Sequence, residues 1–182
     1  MNDIVYKGKI NNNLDILIRY PRDGDAKAMR DYINTLSKEK TYITFQGEKI
    51  TLKDEEKYLK NQLERIKKKE TVQLLVFVCG ELSGISSIDL KKKIQNHTGI
   101  FGISISKKNR NKGLGKLLMK LVFSEASKNL PKLKIATLGV FAENQKALKM
   151  YKNFGFIEYG RLPNGIQYKG KFVDNVSMYK KI

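Results

Sequence analysis

The segment from Ile103 to Ala126 restricts the possible folds of this 182-residue chain more than any other. It starts with alternating apolar and polar residues, passes through a basic stretch with two glycines, and ends with apolar residues at helical spacing. This order predicts a short strand, a loop and an amphipathic helix. Arg110, Gly113 and Gly115 form an R-x-x-G-x-G run at the start of that helix, where backbone N–H groups lack intrahelical acceptors. Because the glycines let the backbone approach a ligand closely, the run predicts a phosphate-binding loop.

Hydrophobic periodicity predicts further strands and helices along the chain. Strands are predicted at Leu14–Tyr20, Leu74–Cys79, Leu82–Asp89, Thr98–Ser106 and Ile135–Phe141, and twice within Phe156–Tyr179, around Pro163-Asn164-Gly165. Helices are predicted after Asp23-Gly24-Asp25, from Thr51, from Leu114 towards Pro131, and from Asn144 to Gly155. The stretch Thr41–Lys49 is predicted to be a loop near a substrate. No repeat, linker or low-complexity block divides these elements, so we expect a single α+β domain with a mixed sheet over residues 1–182.

The charge of the chain bears on its partners. The formal net charge is +18, which favours anionic ligands. Arginine occupies only six positions, whereas lysine is spread over the whole chain, a distribution typical of a solvated surface. No glycine-arginine tract, aromatic-interleaved basic strand pair or zinc-finger spacing accompanies the charge. Nucleic acid is therefore a less favoured partner than a small anionic ligand.

The sequence also bears on location and redox chemistry. No apolar run approaches the roughly 20 residues of a membrane helix, and the first residues contain no signal-peptide apolar region. We therefore expect a cytoplasmic protein with no membrane partner. Cys79 is the single cysteine, so no disulfide within the chain and no cysteine-based metal site is expected. Its position at the end of an apolar run predicts a buried structural thiol.

A second motif follows the glycine loop. Asn144, Ala147, Tyr151, Gly155 and Phe156 form an N-x-x-A-x-x-x-Y-x-x-x-G-F run. The chain has neither a Walker A sequence nor the dinucleotide fingerprint G-x-G-x-x-G, which leaves a nucleotide phosphate held by another type of loop. Taken alone, Asn144 fits a helix N-cap and Tyr151 fits a core aromatic.

With these two motifs, the segment Thr98–Phe156 resembles the GNAT superfamily of N-acetyltransferases. The resemblance implies a mostly antiparallel central sheet flanked by helices, acetyl-CoA as the acetyl donor, and no metal. It implies that the strand Ile103-Ser104-Ile105 pairs with the pantetheine arm through its main chain. It implies that the pyrophosphate is bound by Arg110, Asn111, Lys112, Gly113, Leu114, Gly115 and Lys116. By the same resemblance, Asn144 contacts the donor or orders the site, and Tyr151 binds the donor and protonates the departing thiolate.

The general base is not evident from the sequence. Many members of that superfamily have a glutamate on the strand before the loop, but Thr98–Ser106 contains no carboxylate. Asp89, His97 and Glu143 are candidates, and a water chain ending at backbone carbonyls is the other option. A site without a strong base favours an α-amine, because its pKa of about 8 against about 10.4 for lysine makes neutralisation at pH 7 about 3 kcal/mol easier.

We therefore expect direct transfer, in a ternary complex, to the α-amine of a free amino acid or of a protein N-terminus. The tail, with Gly160-Arg161-Leu162 and Gly170–Asp174, resembles those of ribosomal-protein N-terminal and amino-acid acetyltransferases. Because the overall positive field repels a cationic amine, acidic groups such as Asp89, Glu143 or Asp174 should line the acceptor side. Acetylation of a polyamine or of protein lysines is the alternative among enzymes. A non-catalytic acyl-CoA sensor or a basic nucleic-acid-binding module is the alternative outside them, and either a monomer or a homodimer is compatible with the sequence.

Overall fold

The computed structural model describes residues 3–10 and 13–182 of the chain. Within these residues the strands are β1 (Ile4–Ile10), β2 (Leu14–Arg19), β3 (Thr71–Val78), β4 (Glu81–Leu90), β5 (Thr98–Ile105), β6 (Ile135–Phe141), β7 (Ile157–Tyr168) and β8 (Lys171–Lys181). The α-helices are α1 (Ala26–Lys38), α2 (Leu52–Lys67), α3 (Leu114–Asn129) and α4 (Gln145–Asn153). All described strand pairs are antiparallel except β5 with β6, which are parallel. The predicted α+β class with a mostly antiparallel sheet is therefore confirmed.

The chain forms two compact units. The first unit contains residues 1–89 and 102–131, and the second contains residues 90–101 and 132–182. Strand β5 runs through both of them, since its residues 98–101 belong to the second unit and its residues 102–105 to the first. A single domain over residues 1–182 stays a prediction.

In the first unit the strands β1, β2, β3 and β4 pair in sequence order and helices α1, α2 and α3 pack on them. Seven of the eight residues of β3 are buried, which is why its sequence is a nearly continuous apolar run. Met29 and Leu36 of α1 pack with Leu59 of α2 and Leu75 of β3 in one core cluster. This core fixes the two helices against the strands that carry the cavity described below.

In the second unit β5 pairs with β6 from Thr98↔Ile135 to Ile100↔Thr137, and β8 lies between β6 and β7. Helix α4 begins at the predicted cap, where the Asn144 side chain accepts a hydrogen bond of 3.2 Å from the amide of Ala147. It ends as predicted at Gly155, whose φ of 89° is the left-handed conformation that glycine adopts without strain.

Two predictions are wrong, one about the position of a turn and one about the burial of Cys79. Pro163-Asn164-Gly165 is not the hairpin turn but an irregularity within β7, where the register with β8 shifts between Leu162 and Ile166. The turn lies at Lys169 and Gly170, with φ values of 50° and 75°, because a two-residue turn with two positive φ angles matches the twist of the flanking strands. Cys79 is exposed rather than buried, because with Gly80 it forms the β3–β4 turn just beyond the buried run.

Candidate active site

The glycine loop has the backbone conformation that its sequence predicts. Gly113 has a φ of 80° and directly precedes α3, so the chain turns into the helix at a residue without a side chain. The preceding turn is anchored by the buried Asn109, whose Nδ2 donates a hydrogen bond of 2.9 Å to Oγ of Ser83. The loop is therefore held to β4 while its apex stays exposed.

The backbone amides of this loop are available to a ligand. Among the described residues, none accepts a hydrogen bond from the amides between Asn111 and Lys116, and the first helical bond runs from Leu117 N to Gly113 O. A methyl group added at Gly113 would meet no atom within 4 Å, so open space lies beside the loop. Unpaired amides, a helix N-terminus and two lysines suit a diphosphate.

The Arg110 side chain is engaged within the protein. Its Nε donates a hydrogen bond of 2.8 Å to the Ile105 carbonyl, and its Nη2 lies 2.5 Å from Oε2 of Glu39 at the end of α1. These contacts connect the loop to α1 and to the end of β5. Arg110 thus has a structural role of its own, and any contact it makes with a phosphate stays a prediction.

Strand β5 extends beyond its pairing with β6. The pairing ends at Ile100, so the residues of the predicted pantetheine segment, Ile103, Ser104 and Ile105, lie past it. The Ser104 hydroxyl is 2.9 Å from the hydroxyl of Tyr32 on α1. This contact holds the end of β5 on α1, and pairing of its main chain with an extended arm stays a prediction.

A cavity of about 620 Å³ lies within the first unit and is bordered by α1, the loop at residues 43–50, α2 and strands β3, β4 and β5. We call it the α1–α2 cavity. Gly102, Ile103 and Ser104 of β5 form part of its wall, so two of the predicted donor-binding residues border it. Its apolar wall residues include Met29, Ile33, Leu36, Ile43, Phe45 and Ile85.

One part of the cavity wall is polar and includes Glu55 and Tyr58 of α2 and Gln73 of β3. Glu55 is only 4% exposed and Gln73 only 2%. The Tyr58 hydroxyl accepts a hydrogen bond of 2.8 Å from Nε2 of Gln73 and another of 2.9 Å from Nε2 of Gln62. Among the described residues, neither the Glu55 carboxyl nor Oε1 of Gln73 has a hydrogen-bond partner. Burial raises the pKa of Glu55 above its usual 4.5.

The predicted bases, Asp89, His97 and Glu143, lie elsewhere, and so does Asp174, which was predicted only for the acceptor side. Asp89 is held by Arg65, whose Nη1 is 2.7 Å from Oδ1, and by the hydroxyl of Ser87 at 2.7 Å. His97 and Glu143 are exposed residues of the second unit. Asp174 accepts a hydrogen bond of 3.1 Å from the amide of Asn164. None of the four borders the α1–α2 cavity, whose acidic residues are instead Glu48, Asp54 and Glu55.

Tyr151 lies in the second unit. It is 9% exposed, and its ring centroid is 6.1 Å from that of Phe101 and 5.9 Å from that of Phe156. Its hydroxyl has no hydrogen-bond partner among the described residues. Burial raises the pKa of Tyr151 to about 12, so the phenol keeps its proton at neutral pH, and its role as a proton donor stays a prediction. Asn144, from the same motif, has its side-chain oxygen engaged as the helix cap.

Sequence reasoning missed Glu55, Tyr58 and Gln73. A signal for Glu55 exists, since it lies four residues before the buried Leu59 and therefore on the buried face of α2. Gln62, three residues after Leu59, is buried too. Gln73 carried no such signal, because an amide within the β3 run looks like any polar residue of a strand.

Among the residues that the structure describes, no group of three or more His, Cys, Asp or Glu side chains is placed to hold a metal ion. No helix in the described part of the chain combines the length and the apolar character needed to span a membrane.

Comparison with known proteins gives a consistent result. The sequence model of the Acetyltransferase (GNAT) family matches residues 33–156. An L-amino acid N-acetyltransferase of Escherichia coli (strain K12) is 29% identical over 103 residues. That match covers 56% of this chain and 63% of the relative, so less than two thirds of the relative's length is spanned.

Solved structures share the fold. An acetyltransferase of the GNAT family from Streptococcus pneumoniae matches with a TM-score of 0.84 and 29% identity, covering 92% of this chain and 99% of that one. A ribosomal-protein-alanine N-acetyltransferase from Brucella melitensis matches with a TM-score of 0.79 and 21% identity, covering 91% and 99%.

Proposed function

The chain belongs to the GNAT family of acetyltransferases, and on that basis we propose that it transfers the acetyl group of acetyl-CoA to an α-amino group. The acceptor is a free amino acid or a protein N-terminus, and its nitrogen attacks directly in a ternary complex. The α1–α2 cavity supports this proposal more than any other observation, because its wall includes the β5 residues Ile103 and Ser104 expected to hold the donor. An amine in this cavity would approach a thioester held along β5.

The donor side uses groups of the chain that the structure leaves accessible. The amides between Asn111 and Lys116 would hold the diphosphate, with the charges of Lys112 and Lys116 in support. The main chain of Ile103 to Ile105 would pair with the extended arm. Acetyl-CoA supplies a thioester carbonyl and a thiolate leaving group. A backbone amide of this strand segment would donate a hydrogen bond to the carbonyl oxygen as its charge develops.

Tyr151 would donate a proton to the departing sulfur. Its high pKa keeps it protonated, and its hydroxyl has no other hydrogen bond among the described residues. Asn144 acts through the helix: by capping α4 it holds the turn on which Tyr151 lies. No nucleophilic side chain is needed for this route, and Cys79 is an exposed turn residue.

The acceptor preference follows from the cavity wall. Met29, Ile33 and Phe45 offer an apolar surface to a side chain attached to the amine. An amine with a second ammonium group would have to bring that charge next to the same surface, which is costly unless the charge is paired. We therefore favour an α-amine that carries an apolar side chain. Since acetyl-CoA is a cytoplasmic metabolite, we propose the cytoplasm as the place of action.

A polyamine is the second candidate acceptor, and one observation favours it. Glu48 and Asp54 border the cavity in addition to Glu55, so three carboxyl groups could pair with more than one ammonium group. Glu48 and Asp54 already have partners, since Glu48 accepts from the Gln46 amide and Oδ2 of Asp54 accepts from the Thr51 hydroxyl at 2.6 Å. This weakens the case for a polyamine but leaves it as a defined alternative.

A coenzyme A release assay tests the proposal. The acceptors would be free amino acids with apolar and polar side chains, peptides with free N-termini, spermidine, and lysine blocked at its α-amine as the matched control. We expect kcat/KM at pH 7 to be at least about tenfold higher for apolar α-amines than for blocked lysine, because the α-amine is neutralised more easily. A preference for spermidine would replace the α-amine with a polyamine, and donor binding without turnover on any acceptor would indicate an acyl-CoA sensor.

A further inference from the structure

We propose that Glu55 and Oε1 of Gln73 bind the acceptor's amino nitrogen in the α1–α2 cavity, and that Glu55 accepts its proton. This deepens the proposed function and rests on it, since the acceptor must be an amine. It assigns the general base to a helix that the sequence did not single out.

The Glu55 carboxyl is buried and has no partner within the described part of the fold. A carboxylate that is 4% exposed is normally paired with a cation or held by several donors. Glu55 borders the cavity and has neither among the described residues. A group of this kind costs stability and is retained where it serves a function. An ammonium ion entering the cavity would provide the missing partner.

The Gln73 amide is held in one orientation by its hydrogen bond to Tyr58. Its Nε2 donates to the Tyr58 hydroxyl at 2.8 Å, which fixes the side chain and leaves Oε1 buried without a donor. Two serines of this wall are engaged: Ser86 donates to the Gly102 carbonyl at 2.8 Å and Ser87 to Asp89 at 2.7 Å. An amide oxygen and a carboxylate, both acceptors and both unpaired, match the N–H donors of an amine.

The proton affinity of Glu55 also suits a general base. Burial raises the pKa of Glu55 towards that of an α-amine, which makes proton transfer between them less uphill than with an exposed carboxylate. Glu55 also lies in the first turn of α2, where the helix dipole favours the ionised form and offsets part of the burial. Other charged or titratable residues that border the cavity are Glu48, Lys49, Asp54 and Tyr58. Asp89 adds a negative charge near Tyr58 from β4.

An ammonium group loses two protons when it becomes the nitrogen of an acetamide. One goes to the Glu55 carboxylate before the C–N bond forms, and Glu55 later releases it to solvent. The C–S bond of the thioester breaks as the C–N bond forms. Tyr151 gives its phenolic proton to the thiolate, so that a neutral thiol leaves, and the second proton of the nitrogen restores the Tyr151 phenol. No oxidant, reductant or further reactant is required.

The main test compares Glu55→Gln with Glu56→Gln, the same change at the exposed neighbouring position. We expect Glu55→Gln to lower kcat for the preferred amine by about 100-fold or more, as loss of a general base does, with an unchanged KM for acetyl-CoA. Glu56→Gln should keep wild-type values. The wild-type profile of kcat/KM against pH should fall on the acid side with an apparent pKa above 4.5, and this limb should be absent in Glu55→Gln.

A second variant separates the binding role of Gln73. Gln73→Met keeps the volume of the side chain but removes the amide oxygen, so the KM for the amine should rise about tenfold, as when a hydrogen bond to a charged group is lost. A KM unchanged for the amine would remove Gln73 from the site. The acid limb of the pH profile should persist in this variant, because Glu55 is still present.

Each outcome decides one of the two proposals. A Glu55→Gln enzyme with the wild-type rate and acid limb would overturn the role of Glu55. If wild-type protein acetylates only polyamines, the proposed acceptor fails, and the same variants assayed with spermidine still decide the role of Glu55. If no amine is turned over, calorimetric titration with leucine methyl ester decides it, since Glu55→Gln should bind about tenfold more weakly than Glu56→Gln. Should Glu55→Gln not fold, Glu55→Asp takes its place: it should retain the acid limb with a lower kcat, and loss of the limb would contradict the proposal.

Discussion

Asp25 and Glu55 are both buried carboxyl groups of the first unit, with exposed fractions of 8% and 4%, yet their surroundings are opposite. Asp25 receives two hydrogen bonds from the Arg19 guanidinium, at 2.6 and 2.7 Å, and one of 2.7 Å from the amide of Arg22. Glu55 has no partner among the described residues and faces a cavity. The fold itself supplies hydrogen-bond donors to Asp25, whereas Glu55 can obtain a donor only from a molecule that enters the cavity.

This difference separates structural from functional polar groups without reference to a family. A buried carboxylate whose two oxygens both accept hydrogen bonds from the fold stabilises one local arrangement, here the connection from β2 to α1. A buried carboxylate with open acceptor positions adds nothing to that arrangement and costs desolvation. The same contrast applies to tyrosines: the hydroxyl of Tyr20 is bonded to Glu125 at 3.1 Å, and that of Tyr151 is bonded to no described residue.

The largest expected effect comes from breaking the ion pair of Arg19 with Asp25. Asp25→Asn removes the charge opposite Arg19, whose side chain is itself buried, and should lower the free energy of unfolding by about 3–5 kcal/mol. Urea unfolding followed by circular dichroism measures this. Asp23→Asn is the matched control, since Asp23 is exposed two residues away, and it should change stability by less than about 0.5 kcal/mol. Equal losses for the two variants would show that the Arg19–Asp25 pair does not stabilise the fold.

Next in size is the effect of the unpaired phenol. Tyr151→Phe should lower kcat about 100-fold, because the departing sulfur loses its proton donor, while the KM for acetyl-CoA and the stability stay close to wild type. Tyr20→Phe is the counterpart with a bonded hydroxyl, and it should lose about 1 kcal/mol of stability while keeping its turnover. An unchanged kcat in Tyr151→Phe would assign Tyr151 to the aromatic core of the second unit alone.

The sequence predicted the elements more completely than the site, and the reason is physical. The four α-helices follow from periodicity and from local caps such as Thr51 and Asn144, whose side chains accept from amides three residues on. The glycine loop follows because positive φ and open backbone amides are properties of a few consecutive residues. Helix caps and glycine loops can be recognised because each depends on the residues of one short segment.

The acceptor cavity could not be predicted in the same way. Glu55 and Gln73 come from different elements, and their meaning depends on which of their atoms are left without partners after packing. The sequence pointed to Asp89 because it ends a strand, but the fold gives Asp89 a partner in Arg65, which is 24 positions away. Likewise the turn predicted at Pro163-Asn164-Gly165 was displaced because pairing with β8 continues past it. In these cases the outcome depends on contacts between residues far apart in the sequence, and such contacts cannot be recognised from a single sequence.

A smaller effect is expected at the glycine loop. Gly113→Ala places a side chain at a φ of 80° and should cost about 1–2 kcal/mol of stability. Gly170→Ala is a close control, since Gly170 has a φ of 75° and, like Gly113, nothing within 4 Å of an added methyl group. Both should lose similar stability, but only Gly113→Ala should raise the KM for acetyl-CoA, because the open space beside Gly113 is where the diphosphate is expected. A matching rise in Gly170→Ala would mean that the loop is not the donor site.

The smallest effect has the opposite sign and is the sharpest test of the comparison. Since burial raises the pKa of Glu55, the folded state holds its proton more tightly than the unfolded chain, and ionisation of Glu55 above that pKa opposes folding. Glu55→Gln should therefore be more stable than wild type at pH 7 while being nearly inactive. The gain should shrink as the pH falls from the raised pKa towards 4.5 and should vanish below it, where the carboxyl is protonated in both states. Urea midpoints measured between pH 4 and pH 8 follow this. If Glu55→Gln instead lost stability at every pH, as Asp25→Asn is expected to do at pH 7, then Glu55 would have a partner inside the fold and the distinction between the two carboxyls would fail.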